Sequence, residues 1–190
     1  MSRTAYGDES IRRTGVSEPM YLLGAYVDDE HSSGLPDALD EYARNQGKLH
    51  WHDHTRSTKR AVCEEIGRCA AKHLIVMAAP LGPRLREESA RQQALQTLMV
   101  ILNQTYGVRS LVMERRQKAQ DDKDQRSAAI AVNSGMVARD FKLTHRFGGN
   151  ERKLWVPDQV LGAFGDAQAG MSAGWELIER LVRVEKISPR

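Results

Sequence analysis

Thr4-Ala5-Tyr6-Gly7-Asp8-Glu9-Ser10, followed across a polar run by Met20-Tyr21-Leu22-Leu23-Gly24-Ala25-Tyr26-Val27, sets the architecture of the chain. The first segment reads as a short strand, Thr4 to Asp8, ending in the acidic pair Asp8-Glu9. Ser10 to Ser17 reads as a turn, with Gly15 available for a positive φ. The second segment is nearly all apolar, the composition of a central strand buried on both faces. Two such strands joined by a turn pair as a hairpin. Neighbouring residues on a regular strand point to opposite faces, so Asp8 and Glu9 cannot both face one site. Asp8 is the stronger candidate.

Reading onward, Gly34-Leu35-Pro36-Asp37 opens a helix to about Arg44, with Pro36 near its first turn, and Gly47 stops it. A histidine-rich loop follows, Lys48-Leu49-His50-Trp51-His52-Asp53-His54. Ser57 and Thr58 are natural caps for a helix to about Lys72. Leu74 to Ala79 is a third strand, ended by Pro80 and Pro83. Leu85 to Tyr106 is the longest helix, with Leu95, Leu98, Met99 and Leu102 at core spacing. Val108 to Met113 is a fourth strand that delivers Glu114 at its carboxyl end. Arg115 to Gln125 reads as loop or helix start, and Ser127 to Val132 as helix. Phe141, Leu143 and His145 alternate with Lys142, Thr144 and Arg146, a half-exposed fifth strand. A final helical region starts at Pro157, breaks around Gly170 to Gly174, and resumes from Trp175 to Val184. The whole predicts a single α/β domain over residues 1–190: a mixed five-stranded sheet flanked by helices, with a helical insertion at about 30–72 between strands two and three.

Composition agrees. With 41% hydrophobic and 28% charged residues among 190, the chain has the makeup of a globular domain, not a disordered one. No stretch approaches the roughly 20 apolar residues of a membrane span, and the first residues carry no apolar signal core. Cys63 and Cys69, six apart on one predicted helix, point about 120° away from each other, which suits two free thiols in a reducing compartment. A cytoplasmic protein is expected. The net charge of +3 is mild. Arg139, Lys142, Arg146, Arg152 and Lys153 concentrate positive charge against Asp140 and Glu151, a surface suited to a nucleic-acid backbone or simply to water.

With the insertion set aside, this order of elements resembles the RNase H fold, in which three strands form an antiparallel meander and the fourth lies beside the first. Asp8 and Glu114 would then meet. Tyr6-Gly7-Asp8-Glu9-Ser10 with the apolar strand carrying Gly24-Ala25 resembles the opening of the domain-of-unknown-function 3800 family. Val156-Pro157-Asp158-Gln159-Val160-Leu161-Gly162-Ala163-Phe164 is similar to that family's second signature, a helical aspartate followed by a Gly-Ala pair. Leu49-His50-Trp51 is similar to a histidine-bearing segment of many members. The chain departs from the family in having Pro157 before the aspartate, where alanine is usual. Related nucleases often have aspartate where this chain has Glu114.

The resemblance implies a metal-dependent nuclease or phosphodiesterase acting on DNA or RNA. Two magnesium or manganese ions about 4 Å apart would neutralise the phosphate, activate water and stabilise the leaving oxygen. Asp8 would bridge both ions, Glu114 and Asp158 would each hold one, Glu9 is a further candidate ligand, and His50 would move a proton or touch a phosphate. The alternatives are a nucleic-acid binder without catalysis and a protein-interaction module built on the insertion.

Other residues offer rival readings. His50, His52 and His54 at alternate positions would share one side of an extended segment and could bind zinc. Asp121, Asp122 and Asp124 lack the glycine and distal glutamate of a calcium loop, but one of them could replace Glu114 if the segment folds back. His73 reads as a strand-edge residue, and His145 as part of the basic strand. Trp175 reads as core. Leu177, Ile178, Leu181 and Val184 on the expected last helix suit either the core or a homodimer contact.

Overall fold

The computed structural model describes residues 3–32, 34–43, 47–82 and 87–190. The opening hairpin forms as expected but is longer. Strand β1 spans Arg3–Arg12 and pairs antiparallel with β2, Met20–Asp28, down to Arg12↔Met20. Asp8 and Glu9 are therefore interior to a strand and do not end it. The ladder simply continues through Ser10 and Arg12, which confines the turn to residues 13–19, where Gly15 has φ 74°.

β2 pairs antiparallel with β3, Lys72–Ala78, and β1 pairs parallel with β4, Val108–Glu114. β4 pairs parallel with β5, Lys142–Arg146. The expected meander with the fourth strand beside the first is present. The sheet nevertheless has six strands, not five. The sixth, β6 (Val182–Ile187), adds parallel to β3, in the order β5-β4-β1-β2-β3-β6. The expected helix from Trp175 to Val184 lasts only from Trp175 to Ile178 as α6. Beyond it, Val182 and Val184 alternate with charged residues, a pattern of period two that an open sheet edge captures. The helical dimer face expected there is thus not formed: Ile178 is buried in the core and Val184 sits on β6.

Helices cover both faces. On one side lie α3 (Glu87–Tyr106) and α4 (Lys118–Asn133), over a core that includes Leu23, Val76, Leu98, Leu102 and Leu111. α4 is a single helix that includes Asp121, Asp122 and Asp124, so these are not loop residues. On the other side lie α1 (Leu35–Asp40), α2 (Arg56–Arg68) and α5 (Trp155–Gln168), over a second core with Leu22, Tyr26, Ile75, Trp51 and Leu161. The expected helix end at Arg44, the break at Pro83 and the helix start at Leu85 lie outside the described residues. Cys63 is buried and Cys69 half-buried, and both are free. Trp175 is half-buried, its ring edge-on to Phe164 at 5.2 Å. No described helix is long and apolar enough to cross a membrane.

His73 is not a strand-edge residue. Because β6 covers the far side of β3, His73 is 2% exposed and stacks beside Tyr26 at 6.2 Å. Burial lowers its imidazole pKa from 6.5 to about 4. The unfolded chain therefore takes up a proton that the native core refuses. Its contribution is fully present above pH 6.5 and lost as pH falls toward 4. His73→Leu is expected to gain about 2 kcal/mol over wild type at about pH 4.5, relative to their difference at pH 8. Urea titrations at both pH values check this, and parallel pH profiles for the two proteins would refute it.

Candidate active site

The parallel pairing of β1 with β4 sets Gly7 opposite Met113, so the next residues, Asp8 and Glu114, stand side by side. Even-numbered residues of β1 face α5. Asp8, 7% exposed, looks toward the first turn of that helix, where Asp158 lies. α5 begins at Trp155, two residues before the expected start. Pro157 is thus third in the helix, where its missing N–H still lacks an intrahelical acceptor. Asp8, Glu114 and Asp158 line one cleft of about 370 Å³, together with Lys48, His50, His52 and Arg115.

Burial pushes the Asp8 carboxyl well above the ordinary range, and the charges of Asp158 and Glu114 push it further. Lys48 and the Glu9 N–H, which donates to Asp8 Oδ1 at 2.8 Å, pull the other way. Asp158 is likewise raised by burial, and the Trp51 N–H, Lys48 and His50 partly offset that. Three carboxylates so crowded are under-neutralised. Their hard oxygens suit magnesium or manganese.

Lys48 was not foreseen. Its Nζ donates to both carboxylate oxygens of Glu114, and both side chains are largely buried. The pair is pressed against Gly148, where an added Cβ would lie 2.6 Å from Glu114 Oε1 and 2.9 Å from Lys48 Cε. In sequence Lys48 is one lysine after a glycine, with no pattern to mark it.

Glu9 turns to the opposite face of the sheet. It accepts from Arg91 Nε, and Arg116 Nε lies 3.9 Å away. As alternation requires, it does not join Asp8 and Asp158, although it borders the mouth of the cleft. The three histidines do not converge either. The expected extended segment is a 3-10 turn, Trp51–Asp53, which breaks the alternation. His50 and His52 stack at 5.4 Å beside the cleft, while His54 lines other hollows.

The insertion is locked to α5 by its central tryptophan. Trp51 N–H donates to Asp158 Oδ2 at 2.9 Å, and its Nε1 donates to Asp166 Oδ2 at 2.9 Å. Lys59 and Arg12 also reach Asp166, at 2.8 and 3.3 Å. The indole lies against Gly162, where a Cβ would fall 2.0 Å from Trp51 Cγ. Asp158 and Asp166 are eight residues apart, within about 80° on one helix. That spacing was a readable sign of a shared face. Gly162→Ala is expected to expel the indole, lowering stability by about 2 kcal/mol and freeing Asp158 from its anchor. Thermal melts and the tryptophan emission maximum report this, and wild-type values in both would refute the packing.

A second acidic group lies on the other face. Asp121, Asp124 and His145 bring ligand atoms within 4.8 Å of one another and could hold an ion. Asp124 is fully buried and already accepts from Arg91, Arg116 Nη2 at 3.1 Å, Gln92 at 3.2 Å and His145 at 3.0 Å. The hydrogen bond from His145, then the charges of Arg91 and Arg116, hold its carboxyl below the ordinary range despite burial. None of these aspartates replaces Glu114. In the basic stretch, Lys153 pairs with Asp28 and Arg152 with Asp37 and Asp40, which leaves Arg139, Lys142 and Arg146 exposed.

No family model matches the sequence, and no curated protein does. Among solved structures, ribonuclease H2 from Pyrococcus horikoshii OT3 is similar, with a TM-score of 0.53 and 14% identity over 94% of this chain and 76% of that one. RNase HII of Archaeoglobus fulgidus, solved in complex with PCNA, has a TM-score of 0.49 and 10% identity over 93% of this chain and 77% of that one. The fold of this chain is RNase H-like, a mixed six-stranded sheet between two layers of helices.

Proposed function

We propose that the chain is a metal-dependent nuclease that hydrolyses phosphodiester bonds in DNA or RNA, of the domain-of-unknown-function 3800 kind. The observation that carries this reading is the convergence of Asp8, Glu114 and Asp158, from β1, β4 and α5, in one cleft. The similar protein from Pyrococcus horikoshii OT3, whose fold this chain shares, is a ribonuclease by name.

Asp8 and Asp158 are the residues best placed to hold magnesium or manganese, with Glu114 beside them. When bound, a divalent ion supplies positive charge at the phosphate and lowers the pKa of the attacking water. The chain's own groups do the rest. Trp51 N–H orients Asp158, and Lys48 engages both carboxylate oxygens of Glu114. His50, close enough for its charge to act on Asp158, can give a proton to the leaving oxygen. Glu9, engaged by Arg91, has no part in holding the ion.

The test is incubation with single-stranded DNA, duplex DNA, RNA and an RNA–DNA hybrid, with manganese or magnesium and with chelator. Cleavage of at least one substrate is expected, lost with chelator and reduced roughly 10³-fold in Asp158→Asn. Salt-sensitive binding without cleavage, unchanged in Asp158→Asn, would instead mark a non-catalytic binder using the exposed Arg139, Lys142 and Arg146.

A further inference from the structure

We propose that Lys48 takes the place of a second ion: the cleft binds one divalent cation, between Asp8 and Asp158, and the Lys48 ammonium held by Glu114 supplies the other positive charge at the phosphate. This rests on the nuclease reading above and departs from the two-ion arrangement that the family resemblance implies.

The geometry is specific. A side chain that merely decorates a surface acid is mobile and solvated, and such a pair contributes little. Lys48 is 16% exposed and Glu114 19%, and the ammonium meets both carboxylate oxygens at once. Gly148 packs against the pair, so that an added Cβ there would displace the ends of both side chains. The backbone on the other side is equally constrained. Leu49 is buried, its carbonyl accepts from Gln159 of α5 at 3.4 Å, and Trp51 is tied to Asp158 and Asp166 of the same helix. The helix that carries Asp158 therefore also holds Lys48 in position. The ammonium acts on Asp8 and Asp158 as well as on Glu114.

Charge leads to the same count. Asp8, Glu114 and Asp158 against the Lys48 ammonium leave two negative charges, which one divalent ion balances; of the arginines that line the same cleft, Arg91 and Arg116 are engaged by Glu9, Asp124 and Glu88, and Arg115 is exposed. To hold a second divalent ion, Glu114 would have to release the ammonium that now meets both its carboxylate oxygens. With Lys48 in place, Glu114 works as a positioning residue for the ammonium. The ammonium meets the phosphate as a compact point charge with rotatable donors.

Manganese alone is the probe. Calorimetric titration into the full chain is expected to give one bound ion per chain, and electron paramagnetic resonance no exchange-coupled manganese pair. Lys48→Ala, confirmed as folded by circular dichroism, frees Glu114 and is expected to bind a second ion. In the cleavage assay, the dependence of rate on manganese is expected to steepen from an order of about one in wild type to about two in Lys48→Ala. Two ions per wild-type chain, with a coupled-pair signal, would overturn the inference and leave the nuclease reading standing. One ion in both proteins would show Lys48 to be a structural partner of Glu114 only, and overturns it too. No manganese bound by wild type at millimolar concentration would remove the metal site itself, and the inference with it. Should Lys48→Ala fail to fold, the wild-type stoichiometry and resonance signal decide the matter alone.

Discussion

Asp8→Asn is expected to raise the melting temperature of the metal-free protein by about 5 °C while lowering cleavage roughly 10³-fold. Opposite signs for stability and activity follow from one cause. Asp8 is a buried carboxylate beside two others, so its charge is costly until a cation arrives. Asparagine removes that charge and keeps the oxygen that accepts the Glu9 N–H. The same substitution removes a ligand that the ion needs. Addition of manganese should therefore stabilise wild type, because binding to the native state alone shifts unfolding, and should barely affect the variant.

The pH dependence separates this effect from that of His73. The Asp8 carboxyl is raised in the folded state above its unfolded value of 3.8. Its stabilising contribution is full below that value and lost as pH rises toward the folded one. Acid thus favours the fold through Asp8 and opposes it through His73. Asp8→Asn should flatten the first dependence and His73→Leu the second. Scanning fluorimetry in chelator across pH, with and without manganese, measures both. A destabilised Asp8→Asn in chelator would show that the carboxylates are not in electrostatic conflict.

Arg91→Met is expected to lower stability by about 4 kcal/mol, a fall of about 12 °C in melting temperature. Arg91 is 1% exposed and bridges Glu9 of β1 to the fully buried Asp124 of α4. Methionine can fill the aliphatic part of the space but leaves Asp124 buried with less positive charge around it. The loss is softened by Arg116, which reaches both Asp124 and Glu88. The network ties α3, α4, β1 and the segment after β4 together, and Arg91 and Arg116 themselves line the cleft with Asp8 and Glu114, so its loss should also loosen the cleft. Urea unfolding of Arg91→Met, Asp124→Leu and the double variant measures the coupling. The double variant should cost less than the two single losses added, by at least about 1 kcal/mol. Strict additivity would mean that the arginine and aspartate act independently.

Most of the strands were legible in the sequence, and the pairing of β1 to β4 followed from the resemblance of their order to the RNase H fold. Short apolar runs such as Met20 to Val27 and Val108 to Met113 are local patterns of period and composition. Alternation along β1 separated Asp8 from Glu9. The Asp-x-x-x-Gly-Ala pattern at Asp158 placed a third carboxylate on a helix. The sequence favours a helix across β6 because Leu177, Ile178 and Leu181 suit helix spacing, while Val182 and Val184 suit a strand only where a sheet edge awaits them. That same edge decides whether His73 is at a margin or in a core.

Sequence by itself thus determined the fold class, the convergence expected of Asp8, Glu114 and Asp158, and which of Asp8 and Glu9 faces the cleft. The choice of Asp8 over Glu9 follows from strand alternation, a property of local sequence, whereas the fold and the convergence were implied by the resemblance of the element order and motifs to a known fold and family. Only the tertiary structure decided that Lys48 is held by Glu114, that Trp51 is seated on Gly162, and that Arg91 joins Glu9 to Asp124. Each of these contacts joins residues 33 or more positions apart. A long-range ion pair leaves no period in the chain, because its energy comes from burial and proximity that exist only once the sheet and helices have closed around it.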